Sequence, residues 1–195
     1  MSKPISLLTT PPTERRDAAR NREALLVAAS DLIEGCSVEA VTMEAVAAKA
    51  GVGKGTVFRR FGSREGLMAS LLDHAESEWQ AAVIGGPPPL GPGAPPMERL
   101  LAFGESRMHL HLQQGALIDA AGRTWGENYA VTGFVTMHVR ILLAELGVEG
   151  NLPYLATALV APLSLPVLRQ QFGPAEMSEE QVLAGWEELV RRVVG

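Results

Sequence analysis

The chain has 195 residues, 47% of them apolar, enough for a sizeable core in one large domain or in a small domain joined to a larger one. Cys36 is the only cysteine, which excludes an internal disulfide and fits a reducing cytosol. The net charge of −5 argues against a polyanionic partner until its distribution is considered. Residues 1–64 hold ten Lys and Arg against seven Asp and Glu, whereas the remainder holds seven against fifteen. A basic N-terminal module on an acidic body is the pattern of a nucleic-acid binder.

The opening residues, MSKPISLLTTPPTERRD, do not form a signal peptide: Ile5, Leu7 and Leu8 are too few for an apolar segment, and Pro11 and Pro12 follow at once. Residues 1–16 are expected to be a flexible tail, and the protein to be cytoplasmic. From Asp17 to Glu34, apolar residues at 18, 25, 26, 29, 32 and 33 define one face of a helix. Thr42 is an N-cap before MEAVAAKA, Gly51 ends that short helix, and another runs from about Gly53 to Phe61. Ser63 caps a long helix with a leucine-rich face. Residues 85–96, GGPPPLGPGAPP, are almost entirely breakers and read as a loop. Helical patterns resume over 97–114, 116–123 and 129–146.

Residues 151–168, NLPYLATALVAPLSLPVL, are uncharged, but they fall short of the ~20 residues of a membrane span and carry three prolines. A buried, kinked helix, covered on all sides, is the better reading. Ser178 and Gln181 make a capping-box pattern before a last helix with Val182, Trp186, Leu189 and Val193 on one face. No strand-like alternation persists. The expected fold is all-α, about nine helices, with an N-terminal helix-turn-helix domain (17–66) on a larger helical body (67–195).

The stretch AGVGKGTVFRRFGSREGL, residues 50–67, poses a choice. A phosphate-binding loop needs a glycine, four residues, then Gly-Lys-Ser/Thr after a buried strand. Here Gly55 follows Lys54 and a helix precedes, so the pattern fails. A dinucleotide fingerprint fails for want of a βαβ unit. A helix-turn-helix accounts for more: Ala47 is small where two helices cross, and Gly51 admits a left-handed corner. Val46, Val52, Val57 and Phe61 serve as anchors. The remaining face, Lys54, Gly55, Thr56, Phe58, Arg59 and Arg60, carries groups that read guanine edges and grip phosphates.

Residues 42–67, TMEAVAAKAGVGKGTVFRRFGSREGL, resemble the DNA-binding signature of the tetracycline-repressor (TetR) family of bacterial transcriptional regulators. The likeness is close over about residues 20–75; beyond them, length and helical character agree. The resemblance implies that Thr42 caps the second helix and touches a phosphate, that Gly53, Lys54, Gly55 and Thr56 open the recognition helix, and that Arg59 meets base edges. Phe58 stands where tyrosine is usual and lacks its hydroxyl. Gly53 replaces a common serine, Arg60 a histidine and Arg64 a lysine. Arg59 and Thr56 are therefore expected to read bases, and Thr42, Lys54, Arg60 and Arg64 to hold the backbone.

The resemblance further implies a homodimer on a palindromic operator and a small-molecule effector that shifts the long helix after Ser63 and lifts repression. A two-fold pair would cover the apolar surface of 151–168 and the Trp186 face and would space its recognition helices ~34–36 Å apart. Met108, His111, Trp125, Tyr129, Phe134, Met137 and His138 are candidate pocket residues, each equally readable as core or surface. His109 and His111, two apart on a helix, point to nearly opposite sides and have no ligand-spaced partner, so no metal site is assigned. No cofactor, membrane or catalytic arrangement is implied, and the protein is not expected to be an enzyme. The alternative reading is a helical small-molecule-binding protein that has lost DNA binding.

Overall fold

The computed structural model describes the backbone of residues 12–122 and 129–195, and the side chains of 20–122 and 133–195. The chain divides into two compact units, residues 1–71 and 72–195. Among the described residues there are nine α-helices, two 3-10 turns and no strand.

The first unit is built from α1 (Pro12–Gly35), a 3-10 turn (Val38–Ala40), α2 (Met43–Lys49), α3 (Lys54–Phe61) and the start of α4 (Arg64–Gly85). Helix α1 begins inside the stretch expected as a tail, because proline at the first helical position costs no hydrogen bond. Leu25, Leu26, Ala28 and Ala29 of α1, Val46 and Ala47 of α2, Val57 and Phe61 of α3, and Leu67 and Met68 of α4 are among the buried apolar residues of this unit. Val52, expected as an anchor, is 38% exposed: it sits in the turn, where no helix face directs it inward. At the entry to α4, Ser63 Oγ accepts from the Gly66 N–H at 3.2 Å. A Cβ on Gly66 would lie 2.1 Å from the Phe61 carbonyl oxygen, so only glycine lets α4 start this close to the end of α3.

The second unit contains the rest of α4, then α5 (Pro96–Ala121), α6 (Tyr129–Glu145), α7 (Leu152–Val160), a 3-10 turn (Ala161–Leu163), α8 (Leu165–Phe172) and α9 (Glu179–Val194). Its core gathers Trp79, Val83, Leu100, Phe103, Met108, Val139, Leu142, Leu143, Leu159, Leu168 and Trp186, among others. Residues 97–121 form one helix rather than two. Gly115 does not break it: the glycine is buried, and α8 passes close by, with Leu165 Cδ1 and Arg169 Nη2 3.7 Å from where a Cβ would stand.

The apolar segment 151–168 is split. Pro162 and Pro166 are compatible only with first-turn positions, so α7 gives way to a 3-10 turn and then to α8, bent by 49°. No single helix among the described residues is long and apolar enough to cross a membrane. Nor is the segment covered on all sides within one chain, since Tyr154 is 72% and Val167 37% exposed. Helix α9 starts in the expected capping box: the Gln181 N–H donates to Ser178 Oγ at 3.3 Å, and the Ser178 N–H to Gln181 Oε1 at 2.8 Å. Its buried stripe is Val182, Trp186 and Val190, while Leu189 points outward. Trp186 Nε1 donates to the Leu159 carbonyl at 2.8 Å, and its ring lies flush on α5 where Gly104 has no side chain.

Candidate nucleic-acid interface

The corner between α2 and α3 is made by backbone hydrogen bonds. The Val52 N–H reaches back to the Ala47 carbonyl at 3.0 Å and the Gly51 N–H to Ala48 at 3.3 Å, the two bonds of a Schellman motif. Gly51 takes the left-handed conformation the motif requires, with φ +67°. Thr42 Oγ1 accepts from the Ala45 N–H at 3.1 Å and caps α2, while Gly53 opens α3 without a side-chain cap. With Val57 and Phe61 buried, the opposite face of α3 is turned outward: Lys54, Gly55, Phe58, Arg59 and Arg60 are exposed and Thr56 is half-buried.

These side chains interact with one another. Lys54 forms an ion pair with Glu44 on the first turn of α2, and its ammonium lies 5.3 Å from the Phe58 ring centroid. The hydrogen bond from Lys54 holds the Glu44 carboxyl below its ordinary range, helped by the helix backbone at Glu44. Arg59 Nη2 donates to Thr56 Oγ1 at 3.3 Å, which ties the two expected base-readers together. A shallow cleft of about 250 Å³ next to them is lined by Asn21, Leu25, Thr56, Arg59 and Arg60.

Arg64 lies elsewhere. Its Nε donates to the Val41 carbonyl at 2.8 Å and Nη2 to the Val38 carbonyl, so the guanidinium fastens the start of α4 to the 3-10 turn. Expected on a phosphate, it is instead engaged with two carbonyls 26 and 23 residues earlier, a use of the planar fork that its basic neighbours concealed. Glu44 and Asn21 are the residues sequence reasoning missed. Glu44 could have been found from its place three residues before Ala47, on the turn that faces the start of α3.

The candidate pocket residues of the second unit separate. Met108 is fully buried core. His111 Nδ1 donates to the Leu163 carbonyl at 2.6 Å; burial, then the Arg107 charge, push its pKa down to about 4. Met137 is 47% exposed and lines an open groove with Gly133, Thr136, Arg140, Pro153 and Thr157. Phe134 and His138, one turn apart on α6, come together with Trp79 and Phe103 in a ring cluster. Trp125 is outside the described residues, and Tyr129 is described only as the start of α6. His109 pairs with Glu179 at 2.6 Å, away from His111. Beside the ring cluster is a buried ion pair that the sequence did not reveal, Arg107 Nη1 to Glu76 Oε2 at 2.6 Å, with the guanidinium 4.8 Å from the Trp79 ring.

Comparison with known proteins converges on this arrangement. Residues 25–71 match the bacterial regulatory proteins of the tetR family. An HTH-type transcriptional repressor of Mycobacterium tuberculosis is 38% identical over 72 residues, a match that spans 35% of this chain and only 38% of the repressor. Two regulators of Rhodococcus sp. RHA1 share the fold over most of their length. One has a TM-score of 0.60 at 16% identity, covering 89% of this chain and 95% of that one. The other, described as TetR-like, has a TM-score of 0.57 at 20% identity, covering 88% and 94%. The helix-turn-helix lies within the segment that matches the tetR family of bacterial regulatory proteins, and the chain shares its fold with these solved regulators.

Proposed function

We propose that the protein is a homodimeric, ligand-responsive DNA-binding regulator that represses transcription by placing α3 in the major groove of a palindromic operator. The observation that carries this reading is the outward face of α3, where Lys54, Arg59 and Arg60 project from a helix fixed by the Gly51 corner. Arg59, braced by Thr56, is set to grip a guanine edge with two donors, and Thr56 to meet a neighbouring base. Thr42, Lys54 and Arg60 hold phosphates, with Gly55 permitting close backbone approach and Phe58 packing on the sugar-phosphate. Arg64 acts indirectly, by keeping α4 against the 3-10 turn.

Repression is the activity named for the Mycobacterium tuberculosis relative. In the present chain it follows if a small molecule bound in the second unit prefers the arrangement in which paired recognition helices lose their ~34–36 Å spacing. The test is operator selection from the DNA flanking the gene, followed by titration across a salt series. Steep salt dependence is expected. Arg59→Ala is expected to cost about 1–3 kcal/mol of specific binding and relax the preference at one base pair. An Arg59→Ala protein with undiminished affinity and preference would refute the assignment. Absence of any salt-dependent binding would favour a ligand-binding protein without DNA activity.

A further inference from the structure

We infer that the core between α4, α5 and α6 of the second unit takes a flat organic anion, an aromatic carboxylate, which lies against the Phe103–His138–Phe134 rings with Arg99 as its counter-charge; this rests on the reading of the body as an effector-binding unit. The rings form a continuous wall. His138 stacks on Phe103 with centroids 5.0 Å apart and planes 25° apart, and Phe134 is near-parallel to His138, 16° apart at 6.2 Å. Trp79 closes one side, tilted on Phe103 at 5.1 Å and edge-on to Phe134 at 6.1 Å. Phe103 is fully buried, whereas Phe134 and Arg99 are only partly so.

Two nitrogens in this wall have no protein partner. His138 Nε2 and Arg99 Nε are both buried without a hydrogen bond. Arg99 is one helical turn before Phe103, on the same face of α5. It is close enough to His138 that its charge, after burial, helps push the imidazole pKa down to about 4, so His138 is neutral near pH 7. Leaving buried polar nitrogens unpaired is costly, and folded proteins rarely do so without a use for them.

The chemistry of the missing partner is narrowed by what is already engaged. The buried carboxylate of this core, Glu76, is held by Arg107 and by Gln80 Nε2 at 3.1 Å. Arg99 forms no ion pair among the described residues. A carboxylate accepts from an arginine and from an imidazole N–H at once, and charge-assisted bonds of this kind are the strong ones. The stacked rings favour a planar body on that carboxylate. A neutral amide of the same shape would keep the stacking and lose the charge.

Full-length protein titrated calorimetrically with benzoate, salicylate, phenylacetate and 1-naphthoate, each beside its amide, provides the test. At least one acid is expected to bind at least about tenfold more tightly than its amide, a difference worth about 1.4 kcal/mol. Arg99→Gln is expected to bring acid and amide within about twofold while leaving amide binding in place, and His138→Phe to weaken the acid. Arg140→Gln, at an exposed position two residues beyond His138, should change neither. Equal binding of acid and amide, a preference that survives Arg99→Gln, or no binding by any acid (a site filled by water only) would overturn the inference. Operator binding without ligand, measured on the same samples, separates the two readings. If it persists while the acids fail, the ligand class falls and the regulator stands. If it fails while Arg99-dependent acid binding persists, the reverse holds.

Discussion

The two units of the molecule place their charges in opposite ways. In the first, Lys54, Arg59 and Arg60 stand exposed on an eight-residue helix whose only apolar investment is Val57 and Phe61. In the second, Glu76 and Arg107 meet at 2.6 Å with side chains 4% and 5% exposed, and His111 and His138 are packed among apolar groups. An exposed cation costs little to maintain. A buried one must be matched inside the protein, and where it is not matched, a ligand is the natural complement.

The largest expected effect breaks the buried side of this contrast. Arg107→Ala leaves the buried Glu76 without its cationic partner and should destabilise the second unit by about 3–5 kcal/mol, read as a fall in the denaturation midpoint. Replacing both residues together, Glu76→Leu with Arg107→Met, should recover much of that loss, because no uncompensated charge then remains.

Next is pH. His111 and His138 are held neutral in the folded protein, with pKa values near 4, and regain an ordinary value on unfolding. Between about pH 6.5 and 4 the unfolded chain therefore binds more protons than the folded one. Stability of the second unit should fall as pH drops through that window, on the order of 2 kcal/mol after discounting for the partial exposure of both rings, and level off below it. His138→Phe should flatten part of the slope in a urea titration repeated at each pH.

The same contrast explains what the sequence could and could not reveal. The helix-turn-helix is specified by neighbours: Thr42 caps a helix three residues away, Gly51 closes a corner with bonds to Ala47 and Ala48, and each signal is legible within one turn. The capping box at Ser178 and Gln181 was legible for the same reason. The second unit depends on pairs far apart in the chain. Gly115 looked like a break until α8 was seen to pass against it, and Leu189 looked inward until Trp186 and Val190 took the face buried against α5 and α7. Glu76–Arg107, 31 residues apart, and the unpaired Arg99 beside His138 leave no local trace. Arg64 shows the limit within the first unit: its neighbours identified it as basic, but not that two distant carbonyls would claim it.

A smaller effect tests the corner itself. Gly51→Ala has open space for its methyl group, so any loss comes from the backbone alone. Forcing alanine to φ +67° should cost about 1–2 kcal/mol. Circular dichroism should show the helices retained at low temperature, with a lower melting point for the first unit and weaker operator binding.

The smallest effect on stability falls on the exposed pair, where its consequence for binding is the more informative. Lys54 and Glu44 are each 56% exposed, and an ion pair so placed contributes about 0–1 kcal/mol at most. Glu44→Gln should therefore leave the melting point almost unchanged. On DNA the balance differs. In the proposed complex Lys54 would release Glu44 to meet a phosphate, and the carboxylate left behind would repel the duplex. Removing it should tighten operator binding and steepen the dependence of log K on log salt by up to about one, the increment for one further phosphate neutralised. If Glu44→Gln weakened binding instead, the carboxylate would be positioning Lys54 against Phe58 for the groove rather than holding it back, and the exposed charges of the first unit would be as tightly organised as the buried ones of the second.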